Sequence, residues 1–232
     1  MDTLINVLQK YANDTLLKEN FEWNIPDDCP LKIPNDISDV YLRNIFLKEN
    51  LHTLLSSERS LENRYWVIQK WGGVRSLKAT DRNNLILNKL DSELEKGILT
   101  KPTFSIISST SKVASFLDHR QYAIYDSRVI YALNWLLFKY TNQTEFYPQP
   151  SGRSSDLAKY EFSTILNLSG KSYTWKSHKT AYHEYCNLMK EFSLKIYKNR
   201  TPYLVEMLLF IIAPKQIVSD IKNSVSLNIS VQ

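Results

Sequence analysis

The sequence predicts a mostly α-helical protein, and three observations predict it. Apolar residues recur at helical spacing along most of the chain, helix start and stop residues bracket those stretches, and hairpin signals are scarce, with 5 Gly and 8 Pro among 232 residues. That length suits one domain spanning residues 1–232 with a sizeable core.

Residues 2–19 carry Leu4, Ile5, Leu8, Tyr11, Ala12 and Leu16 on one face, which predicts an amphipathic helix. The segment from Trp23 to Pro34 holds three prolines and reads as an extended connection. Asp36 then precedes a second helix reaching about Ser56, and a third, from Arg59, ends at Gly72 and Gly73, a strong C-terminal stop. Thr80 or Asp81 caps a helix to Glu95, which Gly97 ends. Pro102 opens the next helical region, followed by helices at about 112–118 and 126–140 that form a central unit over 103–140. Residues 141–155 shift to Asn, Gln, Thr, Pro, Ser and Gly and predict a long surface loop, in which Arg153, beside Ser154 and Ser155, is a phosphate candidate. Helices over 156–168, 180–197 and 203–213 follow, the last stopped by Pro214. Residues 224–232 read as a short strand or a frayed tail.

Charge and composition narrow the function classes. A net charge of +5 and a pI near 9.0 suit a phosphate-bearing partner without demanding one. Cys29 and Cys186 have no framework spacing, so a reducing compartment is expected. The N-terminus lacks a secretory pattern, which points to a cytoplasmic location, and the Asn-x-Ser/Thr sites then carry no glycosylation message. The longest apolar run, Leu204 to Ala213, is interrupted by Glu206 and reads as a buried helix rather than a membrane span. His178, His183 and Cys186 lack the spacing of a metal site, and Cys29 lacks an activating neighbour.

Chemistry concentrates in S-S-T-S-K-V-A-S-F-L and I-Y-D-S-R-V. Ser and Thr before an apolar run predict a helix start with Lys112 in its first turn, and Asp126 opens the next helix. The positive end of a helix favours a carboxylate and disfavours an ammonium, so Lys112 is expected to have a lowered pKa and a usable free amine. Each residue alone also has a plain reading, Asp126 as an N-cap and Lys112 as a solvated surface side chain.

The S-K-V-A and Y-D-S-R-V pair resembles the catalytic core of the helix-hairpin-helix DNA glycosylases, most closely the 8-oxoguanine DNA glycosylase-like branch. The resemblance implies a helical fold of that kind, with lobes at about 1–100 and 101–232 around a cleft. It implies Lys112 as the nucleophile and Asp126 as the essential carboxylate, with Ser109, Thr110, Ser111 and Arg128 facing DNA. The implied partner is DNA carrying a damaged or modified base, an oxidised purine among the candidates, bound by a monomer that needs no metal or cofactor. Ser108 to Ser111 stand where that family usually has Gly-x-Gly, and the Lys112 to Asp126 interval is shorter than in its better-known members. An extruded base needs an aromatic pocket, for which Trp71, Tyr125, Trp175 and His183 are the candidates, with Tyr65 an alternative wall. The rival class is a non-catalytic helical DNA-binding or protein-interaction module.

Overall fold

The computed structural model describes residues 1–57, 60–151 and 155–226. Helices dominate, as expected. Among the described residues the only strand pairing is a two-residue parallel contact of β1 (Glu145–Phe146) with β2 (Thr174–Trp175) inside the loop-rich stretch. No helix among these residues is long and apolar enough to cross a membrane.

The first predicted helix is two pieces, α1 (Asp2–Asp14) and α2 (Leu17–Asn20). The break at Thr15 and Leu16 turns Leu17 into the core and leaves Leu16 in solvent. α3 (Val40–Asn50) starts later than expected because the cap is Asp39, whose carboxylate accepts from the Leu42 amide at 2.9 Å. Asp36 lies in a turn closed by the Ile37 amide and the Pro34 carbonyl. After α4 (His52–Leu55), α5 (Ser60–Tyr65) runs into a π-helical turn over Trp66–Trp71 that helical periodicity did not disclose. Gly72 caps it, and Gly73, at φ +70°, turns the chain away.

α6 (Asp81–Glu95) has the expected Thr80 cap and Gly97 stop. α7 (Lys101–Ser105) and α8 (Ile107–Leu117) are joined by Ile106, so Ser108 to Ser111 do not precede a helix but belong to one. α9 (Ser127–Tyr140) begins at its Asp126 cap as read. The 156–168 helix is split into α10 (Ser155–Ala158) and α11 (Phe162–Leu168), followed by α12 (Ala181–Tyr197) and α13 (Tyr203–Ile212). Pro214 does not stop the chain. A π-helical turn over Ala213–Ile217 accommodates its missing N–H and delivers α14 (Val218–Ser224). The Arg153 and Ser154 expectation, and the tail from residue 227, lie outside the described residues.

Two packing centres matter for the site. α8 meets α3, α4, α6, α7 and the Trp66–Trp71 turn, while α13 meets α1, α2, α9 and α12. One contiguous buried cluster from Leu4 to Ile221 joins them. α8 is buried around nearly its whole circumference, including Ser109, Thr110, Ser111 and Lys112. Its Ser, Thr and Ala side chains let neighbouring elements approach closely, and a lysine inside such a helix has few places to put its charge.

Candidate active site

Lys112 is the reason to look here. It is the sixth residue of α8, counted from Ile107, and not in the first turn. Its side chain is buried with the residue only 6% exposed. Nζ donates to the Ser108 carbonyl at 2.7 Å, one turn back along its own helix. The helix-terminus argument for its pKa therefore fails, but the direction survives for another reason. Burial disfavours the ammonium and lowers the pKa, partly offset by the charges of Asp126 and Glu206.

The stem of Lys112 fits because Gly72 has no side chain. A Cβ at Gly72 would stand 2.5 Å from Cδ and 2.8 Å from Cε of Lys112. The π-helical turn thus brings a bare backbone position against the lysine, and such turns recur at functional sites.

Asp126 caps α9 by accepting from the Arg128 amide through Oδ1 at 2.9 Å. The cap leaves the carboxylate with further lone pairs. Lys112 and Asp126 line a common cleft of about 790 Å³ with Trp23, Arg75, Arg128 and Phe210. Arg128 stacks on Phe210, its guanidinium carbon 5.0 Å from the ring centroid. Arg75 and Arg128 along this cleft suit a phosphate backbone.

An inner recess of about 60 Å³ adjoins the cleft, sharing Trp23, Gly72, Lys112, Asp126 and Phe210 with it and adding Phe21, Trp71, Ile124 and Glu206. Trp71 is one wall of this recess. Its ring packs edge-on against Phe116 at 4.8 Å, and its Nε1 donates to Asn44 Oδ1 at 3.0 Å.

The other proposed residues sit elsewhere. Ser109, Thr110 and Ser111, expected to face DNA, are instead buried within α8. The Ser111 hydroxyl accepts from the Tyr125 amide at 2.9 Å, and the Thr110 hydroxyl reaches carbonyls of Thr103 and Ile106. Tyr125 is fully buried with its OH on the Pro148 carbonyl. The chain from Ala123 to Asp126 is outside any helix and alternates sides, so Ile124 and Asp126 reach the recess and Tyr125 does not. Trp175, 38% exposed on β2, contacts Tyr173 and Phe162, away from the cleft. His183 lies between Tyr122 and Tyr182 on α12, and burial lowers its pKa. Tyr65 bonds Asn84 and lines a different groove.

Sequence reasoning missed Trp23, Gly72, Phe210, Glu206 and Lys48. Glu206, 4% exposed, faces the recess from α13. Burial raises its pKa against the opposing pull of Lys48 and of the Ile124 amide. Lys48 is 1% exposed, donates to Ser115 Oγ at 3.2 Å, and lies over the Phe116 ring at 4.8 Å. Its pKa is lowered by burial. The signal for Glu206 was its place as the lone acid in the Leu204–Ala213 run. No family model matches the chain, and no curated protein or solved structure matches it.

Proposed function

We propose that the chain is a DNA glycosylase-like enzyme that excises a damaged or modified base through Lys112, within a helix-hairpin-helix glycosylase-like fold. The observation that carries the reading is a buried lysine amine and a helix-capping aspartate lining one aromatic-walled, arginine-fringed cleft.

The chemistry follows from these groups. The uncharged Nζ attacks C1′ of the extruded nucleotide, forming a C–N bond as the bond from C1′ to the base nitrogen breaks. The electron pair leaves with the base, which takes up a proton. Positive charge gathers on the sugar as the bond opens, and the Asp126 carboxylate stabilises it by an amount worth roughly 10²–10³ in rate. Loss of a proton from the new amine and opening of the sugar ring give a Schiff base. Removal of a C2′ proton then expels the 3′ phosphate, so strand cleavage accompanies excision. Extrusion costs a few kcal/mol, less for a base that pairs poorly. Arg75 and Arg128 hold the flanking phosphates.

The test is incubation with duplex oligonucleotides carrying a panel of oxidised, alkylated and deaminated bases, read for abasic-site formation. The reading expects sites with at least one class, abolished in Lys112→Gln while DNA affinity is retained. A protein that binds the duplexes and releases no base from any of them is the rival helical binding module.

A further inference from the structure

Resting on the base-excision reading, we propose that Glu206 selects the base. It accepts a hydrogen bond from an N–H or NH2 group on the edge of the extruded ring, so the substrates are heterocycles with a donor on that edge.

The argument is an accounting of donors and acceptors around the recess. Trp23 Nε1 is committed to the Trp71 carbonyl at 2.9 Å and Trp71 Nε1 to Asn44. Lys112 Nζ is on the Ser108 carbonyl and Lys48 Nζ on Ser115. Phe21, Phe210 and Ile124 offer carbon surface to the recess. Asp126 has acceptor capacity left, which the excision reading aims at C1′, and the other open acceptor is Glu206 Oε2, buried and without a hydrogen-bond partner. A buried polar atom left unpaired costs free energy, and the residue that carries it lines the same small recess as Lys112 and Asp126.

A purely structural Glu206 would be expected to close an ion pair, but among the described residues neither Lys48 nor Lys112 supplies its open oxygen with a hydrogen bond. The recess, at about 60 Å³, takes the leading edge of a ring, while the larger cleft holds the rest of the nucleotide. In the ionised form that the Lys48 charge favours, a ring presenting only acceptors there places its lone pairs against a carboxylate. Sites built to hydrogen-bond a ligand N–H reject the analogue that lacks it by up to roughly 10⁴-fold to 10⁵-fold.

The experiment compares the full chain with Glu206→Gln, which keeps the shape and replaces half the acceptor with a donor. Two readouts are taken. The first is kcat/KM on duplexes whose target base carries, or lacks, an edge amino group. The second is binding of purine riboside, 2-aminopurine riboside and adenosine by ligand-observed NMR, which needs no turnover. The inference expects the parent to favour donor-bearing bases by at least ~10-fold, and Glu206→Gln to shrink that ratio toward one while still forming the Lys112 adduct. An unchanged ratio in the variant overturns it, as does equal handling of the two classes by the parent. If no duplex reacts, the excision reading fails by itself. Glu206-dependent preference for the amino-bearing ribosides then sustains the donor-selecting recess, and absent or indifferent binding overturns it. Should Glu206→Gln not fold, Lys48→Met with Glu206→Gln removes both buried charges together and carries the same comparison.

Discussion

Replacing Gly72 by Ala isolates the packing that seats the lysine. Gly72 has φ −81°, a conformation any residue adopts, so the backbone raises no objection and the stiffer unfolded chain favours Ala by about 0.4–1 kcal/mol. The contact decides the sign. A new Cβ lies 2.5 Å from Lys112 Cδ and 2.8 Å from the Val67 carbonyl, whereas carbon atoms rest at about 3.5–4.0 Å, so roughly 1 Å of movement is required. The carbonyl is fixed within the π-helical turn, so the lysine stem yields. Overpacking of this kind costs about 1–3 kcal/mol, which leaves a net loss of stability. A displacement of about 1 Å at a reacting group slows chemistry by roughly 10²-fold. Gly73→Ala is the control. At φ +70° it is strained by about 1–2 kcal/mol, yet nothing lies within 4 Å of its Cβ. Thermal unfolding and single-turnover excision on both variants give the result. Gly72→Ala should lose most of its rate, and Gly73→Ala should lose stability alone. Equal rates in the two variants refute the argument that Gly72 seats the nucleophile.

Further outcomes follow from the same geometry. Asn caps a helix about as well as Asp, so Asp126→Asn should unfold within about 2 °C of the parent while excision falls at least ~10²-fold; a matching loss of Tm assigns Asp126 to the cap alone. Ser111→Ala removes the acceptor for the buried Tyr125 amide and should cost about 1–3 kcal/mol in denaturant titration, with DNA affinity unchanged because the hydroxyl is not at the surface. Arg128→Ala should weaken binding to all duplexes alike and flatten the slope of log affinity against log salt by roughly one. Burial lowers the Lys112 pKa below its ordinary 10.5, so excision should rise with pH to a midpoint below 10.5 and then level. For stability the sign is opposite to that of a stabilising lysine. Between the folded and unfolded values the unfolded chain binds the extra proton, so the parent gains stability as pH rises through that window. Lys112→Met should therefore exceed the parent in stability at neutral pH, with the gap closing toward 10.5.

The helical class was legible because periodicity, caps and stops agree, as in α6 between Thr80 and Gly97. What escaped were features that periodicity does not encode. The π-helical turns at Trp66–Trp71 and Ala213–Ile217 keep a helical pattern while adding one residue per turn, so Pro214 read as a stop and Gly72 as a mere cap. Lys112 and Asp126 were visible as local pairs, but their common cleft depends on Trp23 and Phe210, which lie 187 positions apart (210 − 23). The resemblance put Ser109, Thr110 and Ser111 against DNA, and small hydroxyl residues look alike in sequence whether they cap a helix or pack inside one. Glu206 was legible only as a charge out of place in an apolar run, while Lys48, followed by Glu49 and Asn50, gave no signal. Tyr125 illustrates the reverse, since one step along an irregular segment takes it from the recess into the core.

The most direct test traps the adduct. Borohydride added during incubation of the protein with lesion-bearing duplexes reduces a Schiff base to a stable amine, and peptide mass spectrometry then locates the attached sugar. A cross-link on Lys112 with one or more base classes, absent in Lys112→Gln, is the predicted result. Abasic sites formed with no cross-link, or a cross-link on another lysine, contradict the assignment of Lys112 as the nucleophile.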